Sequence, residues 1–201
     1  MRRRVSLLRC PALSVATVGV ALGLALAGSW SSVAVASSAR ATYGAGWSRF
    51  EAGFPVTPKR GSGAQLKQFA KDYPEVTGVV LYYATHSTRD IFRSGAPVPA
   101  PPTEAVIVIH FSRASLVPSL VGEIKKVLPK AKAVKVNGFS GMRFVSSTAT
   151  SPIAKGSTIS DPKSYLGVLI LGKGDTLFEA DAIESTSAGA SAFLSSAKPI
   201  P

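Results

Sequence analysis

The chain has 201 residues, 23 Lys plus Arg against 11 Asp plus Glu, a single Cys and 46% hydrophobic residues, for a formal charge of +12. That length suits one domain of ordinary size. Gly and Pro without period, one Cys and ample apolar content exclude collagen-like, disulfide-framed and wholly disordered classes.

Arg2, Arg3, Arg4 and Arg9 precede a stretch without charge from Cys10 to Ala39, whose middle, Leu13 to Ala27, is almost wholly Leu, Val, Ala and Gly. A basic start, an apolar run and the small residues Ala34 and Ala36 around Val35 have the order of a secretory signal cut after Ala36. Cys10 lies ahead of the apolar run, where a lipoprotein would carry it behind, and Ser6 interrupts the hydrophobic pair of a twin-arginine signal. The run approaches the roughly 20 residues that span a bilayer. Residues 1–36 are therefore expected to be a signal peptide or an uncleaved N-terminal membrane anchor. Without them the chain holds 19 basic and 11 acidic residues, a surplus of +8, and no Cys. Disulfides, a thiol nucleophile and thiolate metal sites are then excluded.

Residues 37–46, rich in Ser, Ala and Gly, read as a flexible spacer, and a single domain is expected over 47–198. Trp47, Phe50 and Phe54 give a first strand, ended by Pro55 and Pro58. Leu66, Phe69, Ala70 and Tyr73 have helical spacing, closed before Pro74. Val76 to Ala84 is a Val- and Tyr-rich strand, Ser94 to Pro102 a Pro/Ala-rich loop, and Ala105 to Phe111 an apolar strand interrupted only by His110. Ser115 is expected to cap a helix to about Leu128, with Leu116, Leu120, Val121, Ile124, Val127 and Leu128 as its apolar stripe. Asn137-Gly138 marks a tight turn between strands, and Thr148 to Pro162 reads as a loop. Tyr165 to Leu171 and Thr176 to Ile183 form a hairpin through Gly172 to Asp175, placed in the middle of a sheet, and Ser187 to Ala197 a terminal helix. The fold class this implies is α+β: a mainly antiparallel sheet whose two-sided apolar strands are covered by helices on both faces, an α/β/α sandwich.

The stretch Phe50-Glu51-Ala52-Gly53-Phe54-Pro55-Val56-Thr57-Pro58-Lys59 resembles the F-x-x-x-FP-x-TPK opening of exported actinobacterial proteins of the PsbP-like superfamily, of the LpqN type. Val136 to Gly141 is similar to that family's V-x-G-x-x-G turn, Leu166 to Glu179 to its late hairpin, and Phe193-Leu194-Ser195-Ser196 to its terminal helix. The resemblance implies the same sandwich and a scaffold that binds other macromolecules. It brings no catalytic residue and no cofactor.

Few residues carry chemistry. His86 and His110 are the only histidines, and neither has another ligand at metal-site spacing. Gly138-Phe139-Ser140-Gly141-Met142 carries Met142 where a nucleophile elbow needs glycine, so turn chemistry is the plainer reading. Whether Ser140, His86 and His110 meet in space is left to the fold. Asp175, Glu179, Asp181 and Glu184 form the one close group of acids; alternation puts Glu179 and Asp181 on one strand face, open to a hard cation or a basic partner, the bland alternative being a solvated face. Lys125, Lys126, Lys130, Lys132 and Lys135 form a denser basic group. The first two complement a helix dipole, and all five are a candidate polyanion-binding patch. No aromatic residue is interleaved with them, so nucleic acid is not an expected partner. The expected function is a non-catalytic, cofactor-free interaction or accessory protein of the cell envelope, meeting an envelope protein or an anionic polymer, and a membrane only through an uncleaved N-terminus. The alternatives are an extracytoplasmic hydrolase built on Ser140 or a His and acid pair, and a carrier of a small apolar ligand.

Overall fold

The computed structural model describes residues 40–63, 66, 67, 71, 73–85, 103–150 and 164–201. The N-terminal segment 1–36, the Pro/Ala-rich loop, His86 and most of the loop after Thr148 lie outside the described residues. Two sheets are present. The larger has seven strands in the order β3 (Lys59–Arg60), β4 (Val76–Thr85), β5 (Thr103–Phe111), β9 (Thr176–Glu184), β8 (Tyr165–Lys173), β7 (Phe139–Ser147) and β6 (Lys132–Val136), all antiparallel. The smaller joins β1 (Ala41–Tyr43), β2 (Phe50–Ala52) and β10 (Lys198–Pro199).

Local sequence accounts for the larger sheet. Asn137 and Gly138 both adopt positive φ, 52° and 81°, the twist that lets a two-residue loop join β6 to β7 without splaying them. Gly174, at φ 57°, does the same between β8 and β9, and that hairpin sits in the middle of the sheet as its two-sided apolar content requires. Alternation along the strands sorts two hydrophobic layers. One face, here face A, carries Leu81, Ile107, Ile109, Met142, Phe144, Val168, Ile170 and Leu177. The other, face B, carries Val106, Val108, Leu169, Leu171, Phe178 and Ala180.

Helix α1 (Leu116–Val127) lays Val117, Leu120 and Ile124 on face A. Gly172 makes room for it, since a Cβ there would stand 2.3 Å from a Val117 methyl carbon. Ser115 makes no side-chain cap bond, contrary to the sequence expectation; the helix starts instead from a backbone turn in which Leu116 N–H donates to Arg113 O at 3.2 Å. Helix α2 (Ser187–Ser196) lays Ala190, Phe193 and Leu194 on face B, and its N-cap Thr186 accepts from Gly189 N–H at 3.0 Å. Gly63, Leu66, Lys67 and Lys71 are helical, in the region where periodicity predicts a helix. Among the described residues no helix is long and apolar enough to cross a membrane.

The helix-covered α/β/α sandwich is not what forms. Among the described residues the fold is β-rich, ten strands in two sheets, with two short helices beside the helical residues between 63 and 71. At 12 and 10 residues, α1 and α2 are about 18 and 15 Å long, against a seven-strand sheet about 29 Å wide. One such helix cannot cover a face. On face B the small sheet supplies part of the cover. Phe50 and Phe54 of the β2 segment, with Tyr43 of β1, join one aromatic cluster with Tyr82, Phe178 and Phe193 at centroid distances of 5.3 to 6.0 Å. β1 falls within the stretch that reads as a spacer, and Trp47 lies in a one-turn 3-10 helix ahead of β2 rather than in the strand. Both strands that complete the small sheet, β1 and β10, are too short for a periodic signal.

Candidate functional site

The five lysines of the basic group are all exposed, and the sheet divides them. Lys125 and Lys126 end α1, Lys126 Nζ pairing with Glu123 Oε1 at 2.6 Å, and Lys130 lies in the turn that follows. Lys132 and Lys135 belong to β6, the free edge strand of the larger sheet. Val134 and Val136 pack on face B, so strand alternation turns Lys135 toward the α1 side and Lys132 toward face B, where its register partner is Arg143. Arg143 is fixed to α2 by bonds to Ser191 O (2.8 Å) and Ser195 Oγ (3.0 Å). The patch is thus a basic rim around one sheet edge. The opposite edge strand, β3, is likewise Lys59 and Arg60, both exposed.

Ser140 and His110 do not meet. Ser140 lies on the face A side of β7, with Met142 and Phe144, whereas His110 lies on the face B side of β5. Three strand spacings, about 14 Å, also separate β7 from β5. His110 is held within its own corner: Nε2 lies 3.5 Å from Asp175 Oδ2 and Nδ1 3.4 Å from Thr176 Oγ1. Trp47, 44% exposed, packs against its ring at a tilt of 38° and a centroid distance of 5.3 Å, and lies over Gly78, where a Cβ would stand 2.6 Å from the indole. Among the described residues no group of three or more His, Cys, Asp or Glu is placed to hold a metal ion.

The acids depart furthest from the sequence reading. Glu179, Asp181 and Glu184 are not a solvated face; they are 1%, 3% and 4% exposed, and Glu104 of β5, at 1%, joins them. Parity splits the four into two pairs, one per face. On face A, Glu179 bonds Asp181 two residues along the same strand. Glu179 stands in the cross-strand row Leu81, Ile107, Glu179, Ile170, Met142, and Asp181 in the row Tyr83, Ala105, Asp181, Val168, Phe144. On face B, Glu104 bonds Glu184 and stands in the row Ala84, Glu104, Ala182, Gly167, Val145, where small neighbours leave room for its side chain. Glu184 reaches the first turn of α2: a Cβ on Gly189 would lie 3.3 Å from its carboxyl carbon.

Burial sets the chemistry of these groups. Desolvation, then the bond and proximity to Glu184, push Glu104 up to about 10. Desolvation, then the neighbouring Asp181, hold Glu179 well above the carboxylate range. Desolvation raises Asp181 to about 8, against the bond from Glu179, which favours its charged form. Burial thus favours the neutral form of Glu104, Glu179 and Asp181. One oxygen of Glu104 (Oε2) and one of Glu179 (Oε1) are buried without a hydrogen-bond partner. The alternation rule located the shared face of Glu179 and Asp181; the neighbour across the sheet, Glu104, is 75 residues from Glu179 in sequence and gave no local signal.

No protein-family model matches the chain, and no curated protein matches it. A crystal structure of a protein from Bacteroides thetaiotaomicron VPI-5482 is similar at 12% identity and a TM-score of 0.41, over 77% of this chain and 46% of that one. The chain thus spans about half the length of that protein. A likeness of this strength identifies neither family nor function.

Proposed function

We propose that the protein is an exported, non-catalytic, cofactor-free interaction module of the cell envelope, which meets an anionic polymer or surface through its lysine rim. Kinship with exported PsbP-like proteins, carried by Phe50 to Lys59 and Phe193 to Ser196, belongs to the same proposal. The observation that carries it is the exposure of Lys125, Lys126, Lys130, Lys132 and Lys135 around one free sheet edge, with Glu123 as the acid paired among them. Exposed lysines also guard a strand edge against pairing with another chain, so the rim needs a test that separates binding from edge protection. Co-sedimentation of the protein with anionic lipid vesicles and with an anionic polymer is expected at low salt and lost as salt screens the charges. The charge reversal K125E/K126E/K130E is expected to abolish it, whereas K59E/R60E on the opposite edge is expected to leave most of it. Equal loss from both variants would reduce the rim to bulk charge, and no binding at any salt would end the proposal.

A further inference from the structure

Four carboxyl groups lie between the middle and one end of the two central strands, from Glu179 opposite Ile107 to Glu104 and Glu184, two on each side of the sheet, so that β5 and β9 carry acid pairs back to back. A carboxylate buried without a counter-charge costs several kcal/mol, and two of them within hydrogen-bonding distance repel each other as well. Among the described residues, the groups beside the face A pair across the strands are Leu81, Tyr83, Ala105 and Ile107 from β4 and β5, and Met142, Phe144, Val168 and Ile170 from β7 and β8, with Leu66 and Tyr73 packed on the same hydrophobic layer. Those facing the face B pair are Ala84, Gly167, Ala182, Tyr165, Thr186 and Gly189. Tyr73, Tyr83 and Tyr165 are the titratable members of these sets, and no Lys, Arg or His is among them. Metal ligation would need a third donor, which the described residues do not place there. Among the described residues, the counter-charge that fits each pair is a proton.

We infer that the pairs Glu104 with Glu184 and Glu179 with Asp181 form a proton-operated lock on this end of β5 and β9, closed while each pair holds a proton and released when it is lost. The second observation beside the cluster is the pair of buried carboxyl oxygens without partners, Glu104 Oε2 and Glu179 Oε1, which tolerate a neutral acid far better than a charge. The folded chain keeps protons that the unfolded chain releases above about pH 4, the ordinary carboxyl value. Stability from this source is full below that pH and declines as pH rises through the values near 8 for Asp181 and 10 for Glu104. Within that window each retained proton makes the opening equilibrium rise about tenfold per pH unit.

Hydrogen exchange of the full chain, read by mass spectrometry between pH 6 and 9 and corrected for intrinsic amide rates, tests the lock. The opening equilibrium over 103–107 and 179–184 is expected to rise by about tenfold or more per unit, and that of the hairpin end, 172–177, by less. E179Q/D181N and, separately, E104Q are expected to flatten the rise. An equal slope at both ends, or an unchanged slope in both variants, would overturn the inference. Infrared spectroscopy of the unsubstituted protein covers the case in which a variant fails to fold. A protonated-carboxyl band at pH 7 that disappears by alkaline titration is expected, and its absence at pH 7 would overturn the lock outright.

Discussion

Two glycines show how differently the same missing side chain can act. Gly141 in β7 lies so close to β8 that a Cβ would stand 1.9 Å from Ile170 O, a backbone atom that cannot move without breaking the pairing of the two strands. G141A is therefore expected to cost several kcal/mol, about 3 or more, by urea denaturation. A midpoint within experimental error of the unsubstituted chain would show that β7 and β8 are not packed this tightly. At Gly78 the obstacle is the far edge of the Trp47 indole, which can swing into solvent. G78A is expected to lose less than about 1 kcal/mol while displacing Trp47 from His110. In a W30F background, where Trp47 is the remaining tryptophan, its fluorescence is expected to become more solvent-quenched; an unchanged emission spectrum would refute the contact with Gly78 and His110. The acids teach the same lesson at this scale. Residue type and spacing predict which face Glu179 and Asp181 share, but whether that face meets water depends on the strands to either side.

At the scale of the element, the segments with strong local signals form where expected: the apolar strands β4, β5, β8 and β9, both glycine-containing hairpins, and α1 and α2. The ends follow subtler rules. Helix α2 begins at a true cap, with Thr186 accepting from Gly189, whereas Ser115 before α1 has helical backbone angles and makes no side-chain cap bond. T186A is accordingly expected to cost about 1 kcal/mol and S115A almost nothing. Equal losses in thermal or urea unfolding would contradict this assignment of caps. The apolar stripe of α1 is also narrower than periodicity suggests. Val117 is buried and Val127 exposed, and the helix makes its main sheet contacts with β8 and β7. A stripe read from sequence assumes cover along the whole helix, which a helix this short over a wide sheet does not receive.

For the whole molecule, the small sheet ties the two ends of the domain together. β2 pairs with β1 on one side and β10 on the other; Ile200 N–H donates to Arg49 O at 2.9 Å, and Asn137 Nδ2 donates to Pro199 O at 2.8 Å. Removing residues 198–201 is expected to lower stability by about 2 to 3 kcal/mol through the loss of these bonds and of the cover over Phe50. An unchanged urea midpoint would mean that β10 contributes nothing. Charge is redistributed at the same scale. The last 38 residues hold four acids against two lysines, which suggests a negative surface, yet three of those acids are inside the sheet. The exposed charge of the described domain is more basic than its sequence segments imply, and the basic side chains gather at both edges of the larger sheet.

Local sequence by itself determined the longer strands, the turns that join neighbours in the chain, and the two helices, because alternation, turn residues and helical periodicity act over a few residues. The tertiary structure alone decided three things: that short strands from opposite ends of the domain, not long helices, complete the cover of face B; that the lysine group is parted by the sheet; and that the acids are buried in pairs. Each of these depends on strand order and register between residues far apart in the chain. A one-residue change in that register would send every one of these side chains to the other face, so no local rule can assign them.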